Sequence, residues 1–118
     1  MIELNLFGAV DWEVELVVVI GKIAQNVKAE NALNYVFGYT ATQDLTAKDW
    51  TSRNGGQFVL CKNMDNFCPL GPCVVTKDEL GDPHNIQVRT WVNGVLKQNG
   101  NTNELIHGVD KLIEYLSR

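Results

Sequence analysis

Two glutamates one residue apart stand near the start of the chain, in Asp11-Trp12-Glu13-Val14-Glu15-Leu16. The residues that follow, Val17-Val18-Val19-Ile20, are all β-branched and favour an extended backbone. Read as a strand from Trp12 to Ile20, the segment puts Glu13 and Glu15 on one face with Val17 and Val19. Trp12, Val14, Leu16, Val18 and Ile20 take the other face, and this apolar density predicts burial on both sides. Two like charges held at such a surface cost on the order of several kcal/mol each unless a positive group compensates. A divalent cation is one such group, and carboxylate oxygens, as hard ligands, select Mg²⁺, Mn²⁺ or Ca²⁺ over thiophilic metals. The plain alternative is a strand end whose glutamates sit in water or pair with lysine.

The elements that would position this pair are legible from pattern. Lys28 to Tyr35 has helical spacing through Ala32 and Leu33, and Val36 to Thr42 is a second strand rich in aromatic and β-branched residues. A short helix is expected from Thr46 to about Arg53, for which Asp44 is a natural N-cap. Asn54-Gly55-Gly56 is a turn, Phe58 to Cys61 a short extended segment, and Pro69-Leu70-Gly71-Pro72 a rigid corner. From Asp82-Pro83-His84 the chain enters a hairpin. Ile86 to Val92 alternates, Asn93-Gly94 supplies a two-residue turn, and Val95 to Gln98 returns. A closing helix from Val109 to Ser117 aligns Val109, Leu112, Ile113 and Leu116 in one apolar stripe. The fold class is mixed α/β and β-rich.

Composition narrows the function classes. The 118 residues suffice for one domain with a core, and no repeat or low-complexity linker divides them. The net charge of −4, with basic residues scattered from Lys22 to Arg118, argues against nucleic acid as a partner. The longest uncharged apolar run, Leu16 to Gly21, falls far short of the roughly 20 residues of a membrane span. Met1 to Phe7 shows neither a secretory signal nor a transit-peptide pattern. Cys61, Cys68 and Cys73 lack zinc-ligand spacing and read as reduced thiols of a reducing compartment. His84 and His107 read as structural.

Several further motifs recur in an order that carries more weight than any one of them. Asp11-Trp12-Glu13-Val14-Glu15-Leu16 with Val19-Ile20-Gly21-Lys22 resembles the metal-binding strand of the fumarylacetoacetate hydrolase family. Gln43-Asp44-Leu45-Thr46-Ala47-Lys48-Asp49-Trp50 is similar to that family's Asp-x-Ser-Ala-Arg-Asp stretch. Cys61-Lys62 through Phe67-Cys68-Pro69-Leu70-Gly71-Pro72 resembles its Gly-Lys-x-Phe-Asp loop and the Pro-x-Gly-Pro that follows. Val92-Asn93-Gly94, Gln98 and Asn101-Thr102 fit the subsequent hairpin, so the resemblance spans about Val10 to Arg118.

The resemblance implies a partial fold of this family, a rolled β-sheet with short helices, commonly assembled as a homodimer. It implies Glu13, Glu15 and Asp44 as ligands of a divalent cation, with Mg²⁺ first and Mn²⁺ or Ca²⁺ as the other ions. Lys62 is the implied catalytic lysine, a fixed positive charge near a developing enolate. Lys48 and Thr51 fall in the implied substrate pocket, and both depart from the pattern. Lys48 stands where Arg is usual, and a point-charge ammonium lacks the bidentate fork. Thr51 replaces a Gln that helps hold substrate. The implied substrates are 2-oxo or diketo acids, and the implied reactions are carbon–carbon hydrolysis, decarboxylation or keto–enol tautomerisation of oxaloacetate. A catalytically silent cation-binding or interaction protein of the same fold is the alternative. Mitochondrial placement is implied by the resemblance alone, and a cytoplasmic one otherwise. Family domains continue beyond both ends of this sequence, so residues 1–118 are expected to form a single incomplete domain with open strand edges.

Overall fold

The β-branched run after Glu13 forms the edge of the largest sheet. In this computed structural model, which describes residues 8–53 and 55–118, strand β2 covers Val14–Ile20 and pairs antiparallel with β3, Val36–Gln43. Their register runs from Val14 opposite Gln43 to Val19 opposite Gly38, with an irregularity between Val19 and Ile20. A third strand, β5 (Leu70–Thr76), lies along the other side of β3. Two smaller antiparallel pairs complete the strands: β1 (Val10–Asp11) with β4 (Thr46–Ala47), and β6 (Gln87–Val92) with β7 (Val95–Asn101). Short helices connect them: α1 (Ala29–Ala32), α2 (Lys48–Thr51), α3 (Phe58–Lys62), α4 (Lys77–Leu80) and α5 (Val109–Leu116). The architecture is mixed α/β, with the strands of the described residues in three sheets.

Two buried clusters hold these elements. Val27, Ala32, Val36, Tyr39, Val109 and Ile113 join α1, β3 and α5. Ala47, Cys61 and Phe67 form the second cluster, against which Val10, Leu45, Trp50 and Met64 are half-buried. Burying the Cys61 side chain anchors α3, so the next residue, Lys62, is held where the β1–β4 and β2–β3 pairs meet. All three cysteines are free, Cys61 buried and Cys68 and Cys73 exposed.

Several expectations change. β2 is half-buried rather than enclosed on both faces: among the described residues it has one sheet neighbour, β3, and its Leu16 and Val18 pack against the first buried cluster. Its pairing also starts at Val14, leaving Trp12 and Glu13 between two ladders. The helix expected from Thr46 begins at Lys48, because Thr46 and Ala47 pair with Asp11 and Val10. Asp44 therefore caps no helix. Phe58–Lys62 is helical, not extended, since the Gln57 side chain accepts from the Val59 amide and starts the turn. The Pro69–Pro72 corner instead opens β5, which passes through a cis Gly71–Pro72 peptide. In α5, Val109 and Ile113 are buried, while Leu112 and Leu116 of the expected stripe face outward. The Met1–Phe7 segment and the Asn54 end of the expected turn lie outside the described residues.

Candidate metal centre

Glu13 sits in the break between β1 and β2, Glu15 is the second residue of β2, and Asp44 directly follows β3. The Asp44 amide donates to the Glu13 carbonyl oxygen at 2.9 Å, which carries the strand pairing one step past Val14 and Gln43. Strand rise would separate the backbone of Glu13 and Glu15 by about 6.6 Å, yet side-chain reach closes that gap. One carboxylate oxygen from each of Glu13, Glu15 and Asp44 lies within 4.8 Å of the others. Three hard oxygen donors converging this closely fit a Mg²⁺, Mn²⁺ or Ca²⁺ ion, and they do not fit a thiophilic one.

Two lysines face the cluster. Lys62, at the C-terminal end of α3, donates from Nζ to Glu13 Oε2 at 2.7 Å and to Asp44 Oδ2 at 2.6 Å. It also donates to Thr46 Oγ1 at 3.1 Å. Lys48, the first residue of α2, donates to Glu13 Oε1 at 2.6 Å and stands 3.9 Å from Asp11 Oδ2. The Thr46 hydroxyl lies 3.0 Å from the same Glu13 oxygen.

These contacts divide the carboxylates. Burial works against the Glu13 anion, but hydrogen bonds from Lys48, Lys62 and Thr46 overcome it and hold the carboxyl down at about 2. Desolvation likewise opposes the Lys62 ammonium, and its bonds to Asp44 and Glu13 outweigh that, keeping it above the ordinary lysine value. The Glu13 hydrogen bond also raises Lys48. Glu15 moves the other way: desolvation first, then the negative charge of Asp44, pushes its carboxyl above the usual range. Among the described residues no side chain donates a hydrogen bond to Glu15, so its charge is the least compensated of the three.

Thr51 is not brought to the carboxylates by any described contact. Its hydroxyl donates to the Lys48 carbonyl oxygen at 2.6 Å, within α2. His84 lies apart, between Asp82 and Asp110, with Nδ1 2.8 Å from Asp82 Oδ1. A cleft of about 470 Å³ between the three-stranded sheet and the β6–β7 hairpin borders the centre only through Glu15.

Sequence reasoning missed a second set of side chains. The Glu13 amide donates to Gln43 Oε1 at 3.0 Å, and the Val14 amide donates to Gln98 Oε1 at 2.9 Å. The Thr90 hydroxyl lies between the Gln43 and Gln98 side chains, accepting from Gln43 Nε2 and donating to Gln98 Oε1. No local pattern announces such contacts, because Val14 and Gln98 are 84 residues apart. A polar residue directly before Asp44 and another inside an alternating strand were the available signals.

The fold and this cluster define a class: a mixed α/β domain that gathers acidic side chains suited to a hard divalent cation, with lysines beside them. The chain belongs to the fumarylacetoacetate hydrolase family, the fumarylacetoacetate hydrolase C-terminal description matching residues 4–118. A mitochondrial oxaloacetate tautomerase of Xenopus laevis is 50% identical over 110 residues, which are 92% of this chain and 34% of that protein. The fumarylacetoacetate hydrolase of Exiguobacterium antarcticum superposes with a TM-score of 0.91 at 39% identity, covering 98% of this chain and 41% of its own. A fumarylpyruvate hydrolase from Pseudomonas aeruginosa, solved in complex with Mn²⁺ and pyruvate, superposes at 0.86 with 30% identity, covering 95% of this chain and 49% of its own. The chain spans about a third of the length of the curated relatives it matches.

Proposed function

We propose that residues 1–118 act as one domain that holds a divalent cation through Glu13, Glu15 and Asp44 and serves chemistry on small 2-oxo acids. Among these reactions, keto–enol tautomerisation of oxaloacetate is the one we favour. The observation that carries the reading is the approach of the three carboxylate oxygens to within 4.8 Å of one another. The identity of about half to oxaloacetate tautomerases supports the choice of reaction. A fumarylpyruvate hydrolase bound to Mn²⁺ and pyruvate supports both the cation and the oxo-acid class.

When bound, the cation supplies Lewis acidity toward a carbonyl oxygen and neutralises developing enolate charge. Tautomerisation moves one proton from the carbon beside the carbonyl to the carbonyl oxygen, as the C–H pair becomes a C=C double bond and the C=O double bond becomes single. Lys62 places a fixed positive charge 2.6–2.7 Å from two of the carboxylates, where a developing oxyanion or substrate carboxylate would be stabilised. Lys48 and Thr46 hold Glu13 ionised and oriented through its Oε1. Which of Mg²⁺, Mn²⁺ and Ca²⁺ is used is set by ligand number and rigidity, and Mg²⁺ is the ion we favour. Placement in the mitochondrion is proposed from the same relatives.

Calorimetric titration with Mg²⁺ and Mn²⁺ tests the site, comparing the native chain with Glu15→Ala. Binding heat in the native chain that disappears in the variant is expected, and equal heats in both would overturn the reading. Oxaloacetate enol decay, followed with and without Mn²⁺, tests the reaction.

A further inference from the structure

The backbone around Glu13 has no ladder of its own, since β1 ends at Asp11 and β2 begins at Val14. The Glu13 and Val14 amides donate to side chains instead. Gln43 Oε1 accepts from the Glu13 amide at 3.0 Å, and Gln98 Oε1 accepts from the Val14 amide at 2.9 Å. Gln43 Nε2 donates to Thr90 Oγ1 at 2.6 Å, and the Thr90 hydroxyl donates to Gln98 Oε1 at 2.9 Å. Thr90 is buried, with 8% of its surface exposed, so water does not readily replace it.

The donor order has a consequence. A hydroxyl has one proton, so when Thr90 gives it to Gln98 its oxygen must accept from Gln43. Both amide groups are thereby oriented with their oxygens toward a backbone N–H. Flipping either amide would set NH₂ against N–H and leave a donor without an acceptor. The relay joins β3, β6 and β7 to the two residues that carry Glu13 into β2, while the Asp44 amide holds the Glu13 carbonyl from the other side.

We infer that Gln43, Thr90 and Gln98 are positioning residues for the cation centre, fixing the Glu13–Val14 backbone from β3 and the β6–β7 hairpin so that Glu13 meets Glu15 and Asp44. This inference rests on the cation reading proposed above. Groups one step removed from a metal typically change its affinity by about 10- to 100-fold when removed. The relay acts through backbone rather than on a ligand atom, so the lower end applies.

The test uses the 118-residue chain with Mn²⁺ alone as the probe. Free ion is counted by electron paramagnetic resonance in the native protein, Thr90→Val, Gln98→Leu, Gln98→Glu and Glu15→Ala. Thr90→Val keeps shape and removes the hydroxyl, so it decides the matter if Gln98→Leu fails to fold. Thr90→Val and Gln98→Leu are expected to weaken Mn²⁺ binding by about tenfold and to speed hydrogen exchange at the Val14 amide, with melting close to native. Gln98→Glu keeps an oxygen at the same place and should bind close to native. Native affinity in both relay variants, with binding lost in Glu15→Ala, overturns the positioning inference and leaves the cation centre standing. Weaker binding that tracks a fall in melting temperature, with exchange raised all along β2, overturns it in favour of a general structural role. Equal affinity in Glu15→Ala and the native chain overturns the cation centre and the inference together.

Discussion

Lys62 stands between Glu13 and Asp44, its Nζ 2.7 Å from an oxygen of the first and 2.6 Å from an oxygen of the second. The two acids come from the ends of neighbouring strands, and the lysine comes from a helix anchored by the buried Cys61 beside it. The Lys62 ammonium thus offsets charge on both acids, with Lys48 adding a second contact to Glu13, and Glu15 would meet its counter-charge in the proposed cation.

Replacing that ammonium tests the arrangement. In Lys62→Met with a chelator present, Glu13 and Asp44 repel each other with only Lys48 and Thr46 left to Glu13. Each of the three side chains is 28–30% exposed, so water softens the loss. A fall of about 1–2 kcal/mol is expected, well below the roughly 3–5 of a fully buried broken pair. Removing a positive charge also favours a divalent ion, so Mn²⁺ should raise the melting temperature of the variant more than that of the native chain. Melting curves with chelator and with Mn²⁺ check both halves. An unchanged melt in chelator would show that the ion pairs contribute nothing to stability.

Gly38 tests the sheet that carries the site. A Cβ there would run into the backbone carbonyl of Val75 and press on Val74, because β3 and β5 approach closely at this point. A backbone carbonyl in a ladder cannot move aside. Gly38→Ala should cost about 1–3 kcal/mol, read as a lower urea midpoint at constant slope. Gly100→Ala is the contrasting variant: its Cβ meets only ordinary contacts at 3.7 and 3.9 Å, so the midpoint should hold or rise slightly.

Local chemistry explains which parts of this fold could be read beforehand. Asn93 and Gly94 adopt φ of 50° and 78°, the positive pair a two-residue hairpin turn requires, and that dipeptide is legible anywhere. Glu13 and Glu15 were legible as a pair because strand alternation is a local rule. Asp44 was legible only through the family resemblance: nothing near it states that Thr46 will pair with Asp11, and the same residues suit a helix start equally well. Phe58-Val59-Leu60-Cys61 has strand-favouring side chains, yet none of the described strands pairs with it, and the turn closes on itself through Gln57. β5 was hidden by Pro72 within it and Pro69 just before it, since prolines punctuate a sequence wherever they stand. The Gln43–Thr90–Gln98 relay depends wholly on tertiary placement.

Tyr39 gives the fold a specific alkaline limit. Only 2% of it is exposed, and desolvation, assisted by the charge of Asp82, pushes its phenol above the usual value. A group raised in the folded state favours folding while protonated. Its contribution is therefore present below the unfolded value of about 10 and is lost as pH rises above it. The urea midpoint, measured from about pH 9 to about pH 12, should fall in the native chain and fall less steeply in Tyr39→Phe. Parallel declines in the two proteins would place the alkaline sensitivity elsewhere.

The radius of gyration is 16.1 Å, against about 13.5 Å for a close-packed chain of this length. That excess reflects three small sheets with open edges and apolar side chains facing outward: Ile106 is 93% exposed, and on α5 Tyr115 is 69% and Leu116 79% exposed. Apolar side chains exposed to this degree are removed from water most simply by contact with another copy. Because Val109 and Ile113 face the core, Leu112, Tyr115 and Leu116 can be changed without opening it. Light scattering should give a mass above the monomer that falls on dilution, and Leu116→Glu should shift it toward the monomer with little change in melting. A monodisperse monomer at all concentrations, with a cooperative melt above about 60 °C, would mean that the exposed face is tolerated in water and that the chain is stable alone.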